Sequence, residues 1–137
     1  MNSLDETQIA VLRNFYAQQA HLIDTGQHEG WAQSFTPNGE FHSPTYGAPA
    51  IGHGQLADIS RRFSQSAQDA GERHRHIIEN VWVVECEGAC AQVRAYVMIV
   101  GTDLERKETR ILRVVTNIDQ LERTAEGWRI RHRRIEY

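Results

Sequence analysis

The 137-residue sequence predicts one α+β domain over residues 1–137, with N-terminal helices packed on a curved antiparallel sheet. Three observations lead there. Up to Gly71 the apolar residues recur at helical spacing. Beyond Gly71 they alternate with polar ones. Short Gly-containing turns then break the alternating half into pieces, as a run of hairpins requires.

The elements follow in order. Ser3-Leu4-Asp5-Glu6 reads as a capping box in which Ser3 caps and Glu6 reaches back. Ile9, Leu12, Tyr16, Ala20 and Ile23 repeat with the helical period, Val11, Phe15 and Leu22 widen the stripe, and Gly26 is the expected C-cap, so the first helix ends near residue 25. A short second helix is expected over 28–35, burying Trp31 and Phe35. Thr36-Pro37-Asn38-Gly39 reads as a turn, Glu40-Phe41-His42 as a short strand, and residues 43–54 as a Gly- and Pro-rich loop. Leu56, Ile59, Phe63 and Ala67 give a third helix that stops at Gly71. Strands are expected over 75–85, 89–100, 110–121 and 128–136, with turns at Gly88 and at Ala125-Glu126-Gly127.

The first hairpin fixes a register. With Glu87-Gly88 as a two-residue loop, Cys86 pairs with Ala89, His76 falls opposite Ile99 and Asn80 opposite Ala95. Parity then puts His76, Ile78, Asn80, Trp82 and Val84 on one face with the alternate residues from Ala91 to Ile99. That face is mostly apolar and should be buried. The histidine and the asparagine within it need partners or a wet cavity.

Composition narrows the function classes. A net charge of -3, 40% hydrophobic and 24% charged residues are ordinary for a globular domain, and no unbalanced basic surface invites nucleic acid. The apolar run over 96–100 is too short to span a bilayer, and the acidic N-terminus lacks a signal-peptide core, so no membrane partner and a cytoplasmic location are expected. Cys86 and Cys90 are expected to be free thiols. No nucleotide or phosphate fingerprint is present, so no cofactor is expected.

Several short segments stand in an informative order: Ile23-Asp24-Thr25-Gly26, Gly30-Trp31, Phe35-Thr36-Pro37, Arg75-His76-Ile77-Ile78, then Asp119-Gln120-Leu121 with Gly127-Trp128-Arg129-Ile130. Their order and spacing resemble the SnoaL-like and scytalone-dehydratase-like branch of the nuclear transport factor 2-like superfamily, over most of the chain. The resemblance implies a cone-shaped barrel, its curved antiparallel sheet closed around a cavity by the N-terminal helices, and a homodimer. Members include cofactor-independent dehydratases, isomerases and polyketide cyclases, alongside non-catalytic binding modules and subunits of larger enzymes. Against the scytalone-dehydratase pattern, Asp24 falls at the aspartate supporting the catalytic histidine, His76 at a catalytic histidine, and Asn117 at a substrate-binding asparagine. Ile23, the neighbourhood of Ser43, and Ile99 stand where that pattern has two tyrosines and a second histidine, so its water-holding half is missing. SnoaL-like cyclases instead move protons with an acidic residue on a strand, a role for which Asp119 is the candidate.

The residue chemistry is compatible with these roles. A histidine with an ordinary pKa of ~6.5 both takes and gives a proton at neutral pH. Asp24 could hold one ring nitrogen of His76; the alternative is a satisfied core histidine and an aspartate that caps a turn. Asn117 and Asp119 share a strand face. Asn117 could bind a substrate oxygen, and Asp119 could instead pair with an arginine such as Arg133. His42, Tyr46 and His53 lie in or beside the loop that could cover a cavity. Trp31 and Trp82 are candidate aromatic walls, joined by Tyr96 only if the hairpin register slips by one. His74, His76 and His42 lack a neighbouring acidic or sulfur ligand in sequence, so no metal is expected. Arg129, Arg131 and Arg133 alternate and read as one solvated face. The function expected is cofactor-independent acid/base chemistry (a cyclase, dehydratase or isomerase) on an aromatic or polyketide-like molecule. Its alternative is a non-catalytic binding or accessory protein, or a subunit of a larger enzyme.

Overall fold

A computed structural model describes residues 4–137. Ser3, and with it the expected Ser3–Glu6 box, lies outside the described residues. Helix α1 (Glu6–Asp24) is capped by Asp5, whose Oδ1 accepts the Gln8 N–H at 2.8 Å while the Gln8 side chain accepts the Asp5 N–H at 2.9 Å. There follow α2 (His28–Ala32), β1 (Phe35–His42), β2 (Ala50–Ile51), α3 (Gly52–Ala70), β3 (Glu72–Glu87), β4 (Cys90–Asp103), β5 (Thr109–Thr124) and β6 (Gly127–Glu136). No helix among the described residues is long and apolar enough to cross a membrane.

The strands form one sheet in the order β2-β1-β6-β5-β4-β3. The fold is α+β as expected, with two differences from an antiparallel barrel. The sheet stays open, with β2 and β3 at its edges, and β1 runs parallel to β6. The long route from β1 to β6 through α3 and four strands supplies the crossover a parallel pair needs. Register shifts interrupt the β1–β6, β3–β4, β4–β5 and β5–β6 ladders, and such bulges bend strands. The inner face packs on α1 and α3, burying Leu12 and Tyr16 of α1, Leu56 and Phe63 of α3, and Val93 and Ile130 of the sheet.

Between α2 and β1 the local reading needs correction. Helix α2 ends at Ala32, and Phe35 opens β1 rather than closing the helix, yet it is buried as expected. Thr36-Pro37-Asn38-Gly39 is not a turn but the irregular middle of β1, where the register with β6 shifts between Phe35 and Glu40. Gly39 permits this passage. A Cβ there would lie 2.7 Å from the Phe35 Cβ and 3.1 Å from the Ile130 carbonyl oxygen.

The first hairpin turns one residue later than expected, with Glu87 opposite Cys90 and Gly88-Ala89 as its loop. His76 nonetheless lies opposite Ile99. Shifts between Glu79 and Trp82, and between Val83 and Glu85, each add a residue to β3 and cancel the difference. Asn80 takes a φ of 56° in the first of them and is not paired with Ala95. Beyond it the facing reverses: Val81 and Val83 pack on the core, and Trp82 is 59% exposed. Trp82 is therefore no cavity wall. Ala91, Val93, Ala95, Val97 and Ile99 are all buried, as parity predicts.

A similar slip corrects the expected arginine face on β6. Gln120 pairs with His132 but Leu121 with Ile130, so Arg131 bulges out and Arg133 turns inward, 4% exposed.

Candidate functional site

The helices and the concave side of the sheet enclose a cavity with about 570 Å³ of empty space, its opening included. Ile23, Ile59, Val97, Ile99 and Val115 give it apolar walls, and Trp31 and Phe41 add aromatic ones. Trp31 is held in place by edge contacts to Phe35 and Phe41, with ring centroids 5.1 and 5.9 Å away. The loop after β1 contributes Ser43, Thr45 and Tyr46.

His76 lines this cavity from β3. Because β3 is an edge strand, a backbone N–H on its free side has no strand to receive it. Asp24, the last residue of α1, fills that place. Its Oδ2 accepts the His76 backbone N–H at 2.9 Å, and its Oδ1 lies 2.7 Å from the ring Nδ1. One carboxylate thus grips both the backbone and the ring of one residue. The favourable tautomer has Nδ1–H donating to Asp24, which leaves Nε2 with a lone pair. Phe63 packs on the imidazole, with centroids 4.5 Å apart.

Asn117 is buried on β5 and lines the same cavity. Ile23, Ser43 and Ile99 line it too. Ile23 and Ile99 thus put apolar side chains where the scytalone-dehydratase pattern carries a tyrosine and a second histidine, while near Ser43 the cavity has the Ser43 and Thr45 hydroxyls and the Tyr46 phenol.

Asp119 does not line the cavity, and its two oxygens are taken. Oδ1 accepts Arg133 Nε–H at 2.9 Å, and Oδ2 accepts Arg133 Nη2–H at 2.9 Å and the Tyr16 hydroxyl at 2.6 Å. Arg133 also donates to Gln19 Oε1 at 2.8 Å, and Gln19 donates to Ser34 Oγ at 2.8 Å. No buried side-chain polar atom among the described residues lacks a partner. Burial, and then the charge of Asp119, hold the Tyr16 phenol well above its ordinary pKa, so it stays a donor. Burial works against the Arg133 charge, but Asp119 outweighs it and the net shift is upward. The expected acid/base role of Asp119 is replaced by the alternative, a buried ion pair.

The remaining candidates divide. Tyr46 lines the cavity; burial raises its phenol pKa, opposed by the charges of Arg113 and Arg62. Tyr96 is 56% exposed and faces away, opposite Glu79 and Thr116, because the register around His76 does not slip. His42 alternates with the inward Phe41 and so points from the other face. There it bonds Glu40 at 2.9 Å and stacks on His132, with centroids 4.7 Å apart. Ligand-capable atoms of Glu40, His42 and His132 all lie within 4.8 Å of one another, outside the cavity. His53 bonds the Phe35 carbonyl at 2.8 Å, and His74 bonds Glu72 at 2.9 Å. Gln19 and Arg113 line the cavity without having been singled out in the sequence. For Arg113 the signal was present: it shares strand parity with Asn117.

The SnoaL-like domain family matches residues 3–134 of the chain. No curated protein matches it. Among solved structures it is similar to Aln2 from a Streptomyces species, with a TM-score of 0.88 and 21% identity over 98% of this chain and 94% of that one. ActVI-ORFA from Streptomyces coelicolor gives 0.85 and 19% over 96% and 95%. A protein from Catenulispora acidiphila in complex with S-DNPA gives 0.80 and 25% over 96% and 94%.

Proposed function

We propose, for a chain that belongs to the SnoaL-like domain family, that its cavity binds an aromatic or polyketide-like molecule and moves a proton on it by acid/base chemistry without a cofactor. The observation that carries this reading is the two-point grip of Asp24 on His76 at the cavity wall. Asp24 is a positioning residue. It fixes the ring orientation and stabilises the imidazolium once His76 Nε2 has taken a proton from a carbon beside a substrate carbonyl. The electron pair of that C–H bond moves onto the carbonyl oxygen, where the Asn117 amide can donate a hydrogen bond to the enolate. Return of the proton to another carbon is an isomerisation. Loss of a β-hydroxyl as water, protonated by the His76 imidazolium, is a dehydration, and attack of the enolate carbon on a second carbonyl, whose oxygen takes that proton, is a cyclisation. A positioned base accounts for roughly 10²–10⁴-fold in rate. The likeness to a protein seen in complex with S-DNPA supports a small-molecule ligand and suggests a first probe.

The apolar side chains of Ile23 and Ile99, standing where the scytalone-dehydratase pattern has a tyrosine and a second histidine, favour a second reading, an accessory protein that holds such a molecule without converting it. Turnover of a panel of aromatic polyketide intermediates separates the two. On the enzyme reading, His76→Ala lowers kcat about 10²–10⁴-fold, and Asp24→Asn lowers kcat with little change in KM. Unchanged conversion by His76→Ala defeats that reading.

A further inference from the structure

We propose that the cavity selects a ligand carrying a carboxylate and that Arg113 is the residue that binds it. This rests on the reading of the cavity as a ligand site. The charge balance of the cavity leads to it. His76, Arg113 and Arg133 line the space, and no aspartate or glutamate does. His76 is bound by Asp24, and Arg133 by Asp119 and Gln19. Arg113 has no carboxylate within ion-pair distance among the described residues, and neither does Arg62.

These two cations meet at Tyr46. The Arg62 guanidinium carbon stands 5.1 Å from the Tyr46 ring centroid, and both arginines pull the phenol pKa down against its burial. A half-buried guanidinium beside apolar walls is costly without an anion, and a carboxylate matches its forked donors. A bound carboxylate would also leave the Tyr46 hydroxyl free to donate to it.

Register then places this group relative to the base. His76 pairs with Ile99, and Ile99 with Arg113, so the three form one row across β3, β4 and β5. His76 and Arg113 are two strand spacings apart, about 10 Å at the backbone, with both side chains facing the same space. That separation suits a fused-ring acid whose carboxylate lies at one end and whose reacting C–H lies at the other.

Naphthoate and naphthamide share a ring system and differ in charge, which makes them the probes. Their affinities are measured by calorimetry and their contact with His76 by the NMR shift of its ring. The acid is expected to bind about tenfold to a hundredfold tighter. Arg113→Gln should remove that preference while leaving the amide affinity within about twofold, which also reports an intact cavity. Arg113→Lys should retain part of the preference, and added salt should weaken the acid alone. Equal affinities in the natural protein, or a preference that survives Arg113→Gln, overturn the proposal while the cavity reading stands. If neither compound moves the His76 signals, the cavity reading fails and the proposal fails with it.

Discussion

Asp119 accepts from Arg133 through each of its oxygens and from Tyr16 through one, so its lone pairs point at protein donors rather than at the cavity. Removing it leaves the Arg133 guanidinium inside the fold with only Gln19 to receive it. A buried charge stripped of its counter-ion costs about 3–5 kcal/mol. Asp119→Ala should therefore lower the unfolding free energy read from urea titration by an amount of that order. Asp119→Asn, which keeps an acceptor for Tyr16 or Arg133, should cost less. A catalytic Asp119 would behave differently, losing turnover at unchanged stability. The pairing with Arg133 was legible in the sequence as an alternative. The inward turn of Arg133 was not, because it depends on a bulge at Arg131 that strict alternation along β6 does not reveal. The Asp24–His76 contact joins residues 52 apart in sequence. Only the family resemblance hinted at it, since no local period links a helix end to a strand that begins after another helix.

At the scale of elements, period and punctuation were sufficient for α1, α3 and the four long strands, because one face of each is buried and its apolar residues must recur accordingly. They failed where the chain leaves the regular ladder. In β3 two inserted residues turn Trp82 outward yet return His76 to its expected partner, so a count from the turn is right at one end and wrong in the middle. In β1 the Pro- and Gly-containing stretch Thr36–Gly39 has turn composition but runs through a strand, because the residues on either side of it, Phe35 and Glu40 to His42, pair with a parallel β6 that arrives about 90 residues later in the chain. Gly39 is the test of that passage. With a Cβ it would press on Phe35 at 2.7 Å and on the carbonyl oxygens of Thr36 and Ile130 at 3.0 and 3.1 Å. Backbone oxygens cannot swing aside as a side-chain tip can. Gly39→Ala should therefore destabilise the fold by about 1–3 kcal/mol in thermal or urea unfolding. A neutral result would mean that β1 does not lie this close to β6.

For the whole molecule, three polar ties join α1 to the sheet, Tyr16 to Asp119 on β5, Gln19 to Arg133 on β6 and Asp24 to His76 on β3, so the helix layer and the sheet hold the cavity between them as one unit. A further cluster braces the open end of the sheet. Glu72 on edge strand β3 crosses β4 at Gly101 and receives Arg110 of β5 through two bonds of 2.9 Å, with His74 as a further partner. A Cβ at Gly101 would stand 2.8 Å from the Glu72 Oε1, so the crossing needs a glycine there. Arg110 first, and His74 after it, lower the Glu72 carboxyl from 4.5 to about 2. A depressed folded-state pKa means that the unfolded chain takes the proton more readily. The contribution of this cluster is then complete above the ordinary carboxylate value and is lost as pH falls from there toward about 2. Urea unfolding of the natural protein and of Arg110→Ala, compared from neutral pH down to that limit, reads this directly. The variant should be the less stable at neutral pH, and the gap should close with acidification as Glu72 becomes protonated in both. An NMR titration should show Glu72 moving back up toward its ordinary value in the variant. A gap that stays constant across the acid range would mean that Arg110 supports the sheet by packing its aliphatic stem rather than by holding the Glu72 charge.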